Sequence, residues 1–310
     1  MTRAAIIFII SLVMVLPLLL LFGEPSLSDQ LYLCIPFLLL LGIPHGAIDN
    51  ILFIRNKPIS PALFNAVYLV FVGINIALWF IFPAIAYMVF LLISAYHFGQ
   101  SQFSHYLSQQ IAKHKLLYLS WGTLLISSLV LLNYSEVMGI ASKHAEFSFL
   151  RSLHGYQLMV FMCLISGLGT VCLMGRLWHI KVLSRGAFLR ELLLLGVLLG
   201  CFYLTPLLIG FTLYFVILHS FKVLREEYVF LKASGEVFSI RQFIKLVAPL
   251  TLFSIGGIGL LFGLIYMGWL PISYGYCLLI AISSITLPHV FVMNRFYVRF
   301  FRKKNQYKAV

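Results

Sequence analysis

Leu16-Pro17-Leu18-Leu19-Leu20-Leu21-Phe22 closes the first apolar run of the chain, and its reading decides the fold. The run does not alternate apolar with polar residues, as a strand of a membrane β-barrel would. With the residues before it, it reaches the roughly 20 residues that a helix needs to cross hydrocarbon. Similar runs recur to the far end of the chain. Of 310 residues, 62% are hydrophobic and 10% charged, and the mean hydropathy is +1.01. Soluble domains average about 45–50% apolar and about 25% charged residues. A water-soluble fold has no way to hide so much apolar surface. The expected class is all-α, a polytopic transmembrane helix bundle, organised as a single integral membrane domain over residues 1–310. Met1 to Phe22 has the look of a signal peptide. However, its apolar run is longer than usual, and only Gly23-Glu24-Pro25 follows, so we expect a retained first helix.

About ten spans can be drawn, at roughly 4–22, 31–54, 62–82, 84–103, 116–134, 156–175, 188–205, 207–224, 246–267 and 272–294. They are numbered 1 to 10 below. Two divisions are tight, Phe82-Pro83 and Thr205-Pro206; each must be a turn and not a kink for the count to hold. Charge supports the count. With both termini cytoplasmic, all of the 22 Lys and Arg residues except Lys143 and Arg151 fall at inner ends, while Glu24, Asp29, Glu136 and Glu146 lie outside. That is the positive-inside pattern. The net charge of +13 is therefore a collar facing the anionic headgroups of membrane lipids, and no nucleic-acid partner is expected. The long inner connection, about 225–245, reads as an amphipathic or interfacial helix. Cys34, Cys163, Cys172, Cys201 and Cys277 are scattered through apolar segments without a CxxC pair, and read as buried small hydrophobes.

Four of the nine histidines, His45, His97, His219 and His289, lie inside spans 2, 4, 8 and 10. All four spans run from outside to inside, and each histidine falls in the inner half of its span. Ionisable groups at such depth face a bundle interior and have a task there. Four at one level predict a shared site, open towards the inner leaflet, and a metal is the economical explanation. His105, His114, His144, His154 and His179 fall in connecting stretches and are expected in solvent.

The surroundings add detail. In Gly42-Ile43-Pro44-His45-Gly46-Ala47-Ile48-Asp49-Asn50, Pro44 kinks the helix and the two glycines permit close approach. His45 and Asp49, four apart, share a face, so Asp49 can ligate a metal or orient a histidine. In Ser94-Ala95-Tyr96-His97-Phe98-Gly99-Gln100, Tyr96 and Gln100 are candidate partners of the histidine. Pro288-His289 repeats the Pro-His step of span 2. Taken singly, each stretch has a structural alternative: a kinked helix, an interfacial helix end, a snorkelling imidazole. Imidazoles with a carboxylate and no thiolate suit Fe(II), Zn(II), Mn(II) or Cu. Apolar walls suit a lipophilic substrate arriving from the bilayer. P-loop, GxGxxG, GxSxG and HExxH motifs are absent from the sequence. The rival classes are a haem-binding membrane protein and a proton-coupled transporter.

Gly42-Ile43-Pro44-His45-Gly46-Ala47-Ile48-Asp49 and Tyr96-His97-Phe98-Gly99-Gln100-Ser101 resemble signature stretches of the Brp/Blh family of membrane β-carotene 15,15′-dioxygenases. His219-Ser220 and Pro288-His289 resemble its later histidine sites. The resemblance implies an inner-membrane, multi-pass enzyme that uses O2 and histidine-bound Fe(2+). Its reaction would split β-carotene or a related polyene at the central double bond into two retinals, which serve a rhodopsin. It also implies that His45, His97 and His219 bind the iron, with His289 and Asp49 as further site residues. Two positions depart from the family pattern: Val223 stands where a second histidine is common, and Gln102 where Asp is common. A different metal-dependent membrane oxygenase of lipids is the nearest alternative.

Overall fold

A computed structural model of the protein describes residues 3–54, 59–107 and 114–306, with side chains to 300. Arg55, Lys57, Lys113 and Lys308 of the basic collar lie outside the described residues. Ten helical segments are long and apolar enough to cross a membrane, and no strand occurs among the described residues. The helices are α1 (Arg3–Phe22), α2 (Leu27–Phe37), α3 (Asp49–Ile54), α4 (Pro61–Ile81), α5 (Pro83–Phe103) and α6 (Lys115–Leu132). They continue as α7 (Tyr134–Lys143), α8 (Leu150–Leu153), α9 (Tyr156–His179), α10 (Arg185–Leu204), α11 (Leu207–Leu213), α12 (Phe221–Ala233), α13 (Ile240–Tyr266) and α14 (Tyr274–Gln306).

The helix boundaries follow local chemistry. Ser26, Ser60, Ser184 and Ser239 each cap a helix, accepting from the N–H three residues on, and so satisfy donors left free at a helix start. Both tight divisions are true breaks. Phe82 leaves helical geometry at φ −138° and ψ 68°, and Thr205 is extended at φ −129° and ψ 146°. A proline follows each, where its missing N–H costs nothing.

Two spans depart from plain α-helix. Span 2 continues from α2 through a wide π turn (Leu38–Gly42) and a tight 3-10 turn (Ile43–Gly46) before α3 begins at Asp49. Span 8 runs from α11 through a second π segment (Tyr214–Ser220) into α12. The inner connection therefore begins as a continuation of span 8, not as a separate surface helix. It buries Val223, Glu227, Phe230 and Leu231, and then turns at Gly235. The outer connection folds over the far end of the bundle. Glu136 accepts from the Leu207 N–H at 2.8 Å and also meets Gln30; Glu146 accepts from the Ser273 N–H at 2.9 Å. Each carboxylate thus meets the free N–H groups at the start of a helix.

Two glycines set the closest crossing. A Cβ on Gly99 would lie 1.9 Å from the Tyr118 carbonyl, and one on Gly122 would lie 1.8 Å from the Ala95 carbonyl. Helices α5 and α6 therefore touch backbone to backbone, which only residues without a side chain allow. His97 sits two residues from Gly99, so this crossing fixes its depth. A polar clamp fixes α14 in turn: Asn75 donates to Ser283 and Ser284 at 3.0 Å each, and Trp79 donates to Ser283 at 2.6 Å. The apolar core has three parts: one around Ile48, Phe98, Tyr118 and Val223 at the basic end, one around Trp79, Tyr87 and Phe147 at the opposite end, and a small one of Cys34, Leu38, Ile209 and Val216. Large apolar side chains such as Leu20 and Phe253 face outward, 86% and 79% exposed, as a lipid-facing surface requires. All five cysteines are free; Cys172 is exposed and Cys163 half-buried, so only Cys34, Cys201 and Cys277 fit the expectation of burial.

Candidate metal centre

The four span histidines meet. The ring of His45 lies 5.3 Å from that of His219 and 4.9 Å from that of His289. The ring of His97 lies 4.8 Å from His219 and 5.1 Å from His289. All four contacts are edge to face, and each ring is buried (8, 2, 2 and 3% exposed for His45, His97, His219 and His289). Ring nitrogens of His45, His97 and His289 lie within 4.8 Å of one another, close enough to hold one ion. His219 closes the circle from the side.

Local winding delivers two of these rings. His45 stands in the 3-10 turn, just after the π turn of span 2. This change of winding leaves the Gly42 carbonyl facing His45 Nδ1. A carbonyl only accepts, so Nδ1 carries the hydrogen and Nε2 is left as the electron-pair donor. His219 stands within the π segment of span 8, where one extra residue per turn re-aims the side chain. Phe98 and Phe215 pack on its ring, 4.9 and 5.5 Å away. Gly46 adjoins His289: an added Cβ would lie in ordinary contact with its Nδ1, at 3.5 Å.

Asp49 sides with a histidine other than the one its spacing suggested. Its oxygens accept from His289 Nδ1 at 2.9 and 3.1 Å, while Tyr68 donates to Oδ2 at 3.2 Å. His45 is held by its own backbone instead. The carboxylate fixes the His289 tautomer and leaves Nε2 free, the arrangement that metal-bound histidines commonly show. Tyr96 and Gln100 turn elsewhere: both donate to Asn294, at 3.2 and 2.8 Å. Neither hydrogen-bonds His97, whose two nitrogens have no such partner. The sequence reading missed Tyr68 and Asn294. Asn294 was detectable as a lone amide in an apolar span; Tyr68 carries no sequence signal.

Among the span histidines, four buried ring nitrogens have no hydrogen-bond partner: both of His97, Nε2 of His219 and Nε2 of His289. Buried polar atoms are nearly always paired, and an unpaired one costs about 1–3 kcal/mol. Several unpaired lone-pair donors converging on one place fit a bound cation. Imidazoles with one carboxylate behind them suit a first-row metal such as Fe(II).

An apolar cavity of about 450 Å³ reaches the four histidines and runs from them to the opposite end of the bundle, between Leu39, Phe90, Leu129, Phe211, Leu279 and Ile285. The site therefore opens away from the basic end, the reverse of the sequence expectation. Three loop histidines also differ from expectation; one, His114, is half-buried. His154 is buried and bonded to Tyr87, and His144 lines the far end of the cavity; His105 and His179 are exposed as expected.

Comparison with known proteins places the chain in a family. No curated relative and no solved structure matches the chain. A family model described as beta-carotene 15,15′-dioxygenase matches residues 36–297, which contain every one of the four histidines. The match supports the Brp/Blh-type resemblance and covers most of the chain, which belongs to the beta-carotene 15,15′-dioxygenase family.

Proposed function

We propose that the protein is an iron-dependent enzyme of the cell membrane that cleaves β-carotene with O2 at its central double bond, releasing two retinals. The observation that carries this reading is the convergence of unpaired imidazole nitrogens at the end of an apolar cavity. His45, His97, His219 and His289 would hold the iron. Iron(II) supplies the redox chemistry that lets O2 react with a closed-shell polyene.

The chain does the rest. Asp49 holds the proton on His289 Nδ1, and the Gly42 carbonyl holds that on His45 Nδ1. Both rings thus present Nε2 without rearrangement when a ligand arrives. The cavity walls bind a hydrocarbon by burying it, at about 25 cal/mol per Å² of apolar surface. They also align its length with the site, so that one bond of the polyene meets the reacting oxygen. The same walls keep out water, which limits side reactions. Placed by charge, the histidines lie towards the cytoplasmic side and the cavity extends under the outer leaflet. Access from the bilayer suits a substrate insoluble in water, and retinal released there would be available to a rhodopsin. Four rings packed edge to face leave no slot for a porphyrin, which argues against the haem reading. An almost wholly apolar cavity argues against a proton path.

The test is expression in bacteria that accumulate β-carotene, with chromatography of the pigments. Retinal should appear with the wild type and not with His97→Ala, although both proteins reach the membrane. Retinal from His97→Ala, or intact β-carotene beside well-folded wild type, would defeat the reading.

A further inference from the structure

Glu227 lies on α12, eight residues past His219, and is 0% exposed. Neither of its carboxylate oxygens has a hydrogen-bond partner. The charges that act on it are those of Asp49 and Glu226, both acidic. Lys222, a half-buried cation on the same helix, is directed elsewhere. It donates to the carbonyls of Ser101 and Gln102 at the end of α5, and faces Glu226 and Glu191. A buried carboxylate with no hydrogen-bond partner and only acids among the charges acting on it is expensive, by several kcal/mol unless something compensates it. No part of its fold role demands an acid: Val223 and Phe230, buried on the same helix, show that apolar groups pack there.

The placement of the three acids is graded. Glu226 is half-buried, Glu227 fully buried, and Asp49 is 3% exposed and bonded to His289 of the metal centre. At ~1.5 Å per residue, Glu227 sits ~12 Å past His219 and ~9 Å short of the end of α12 at Ala233. It therefore lies between the basic end of the bundle and the histidines. The opposite approach is the apolar cavity, which has almost nothing to offer a hydrated ion.

We propose that Glu226, Glu227 and Asp49 form a relay of carboxylates by which a divalent metal ion reaches the histidines from the basic end of the bundle. Carboxylate oxygens exchange readily with the water of a hydrated dication, and imidazoles then outbid them for a first-row metal. Acidic groups also raise the local concentration of cations, which neutral imidazoles alone do not. The bundle thus separates its two ligands, the ion arriving at one end and the hydrocarbon at the other. The inference rests on the reading of the histidines as a metal centre.

The experiment follows metal uptake rather than carotene cleavage. Metal-free full-length protein in nanodiscs is mixed with Co(II), and its visible absorption is recorded over time, with the final metal content per chain. Glu227→Gln keeps the shape and removes the charge; it should load about fivefold or more slowly and reach the same final content. Glu227→Asp should recover most of the rate. Equal rates for wild type and Glu227→Gln would overturn the relay while leaving the metal centre intact. Wild type that takes up no Co(II) would overturn both. Should Glu227→Gln fail to fold, Glu226→Gln at the half-buried position carries the same comparison, and an unchanged rate there overturns the relay.

Discussion

His154 and His97 are both buried histidines, 3% and 2% exposed, yet they are opposites. His154, at the far end of the bundle, stands alone and is satisfied. Its Nε2 meets the Tyr87 hydroxyl at 2.9 Å and its Nδ1 meets the Met159 sulfur at 3.2 Å. His97 stands among three other imidazoles, and neither of its nitrogens is bonded. Burial alone therefore does not mark a functional histidine. Convergence together with unspent hydrogen-bonding capacity does, because a fold that needed only a packed ring would have given it a partner.

The comparison can be broken most directly by deleting each ring. His97→Ala should abolish carotene cleavage and metal retention, a loss of about 1000-fold or more, with the protein still folded. His154→Ala should keep cleavage per folded molecule and cost about 1–3 kcal/mol of stability through the lost bonds. Pigment analysis and thermal unfolding in detergent check the pair; equal effects on cleavage would erase the distinction. Asp49→Asn should weaken metal binding about 10-fold, since His289 loses its charged partner but keeps its place. Co(II) titration reads this, and unchanged affinity would mean that Asp49 only packs.

Acidity sharpens the contrast from the other side. Burial lowers the His154 pKa from 6.5 to about 4. The folded protein thus refuses a proton that the unfolded chain accepts between those values. Stability should be full above pH 6.5 and fall as the pH drops towards 4, by about 2 kcal/mol between pH 7 and pH 5. His154→Phe should flatten that part of the profile; an equal slope in both proteins would assign the effect to other groups. Smallest of all, Tyr87→Phe removes one hydrogen bond to His154 and should cost about 1 kcal/mol, without altering metal content.

Much of this was legible in the sequence because membrane folds obey one-dimensional rules. A run such as Leu16–Phe22 must be helical in hydrocarbon, where unpaired backbone groups are ruled out, and the basic collar orders the spans. The depth argument brought His45, His97, His219 and His289 to one level, and they do meet. The partners were less legible. Spacing joined Asp49 to His45, but a 3-10 turn and a break at Ala47-Ile48 lie between them, so the carboxylate faces His289, 240 residues away. Tyr96 and Gln100 looked like supports of His97 because they adjoin it, yet they serve α14 through Asn294. His154 looked like a loop residue because no linear pattern reports that Tyr87 waits beneath it.

By itself, then, the sequence determined that the chain has about ten helices long and apolar enough to cross a membrane and that four of its histidines lie on them. Composition and charge fix those features, since each depends on a residue's transfer energy between water and lipid and not on its neighbours. Only the tertiary structure decided which nitrogens remain free, which acid holds His289, and that the cavity leaves the histidines away from the basic end. Those features turn on π and 3-10 turns and on backbone contact at Gly99 and Gly122. Such winding and contact depend on how helices distant in sequence press together, which no single stretch of sequence encodes.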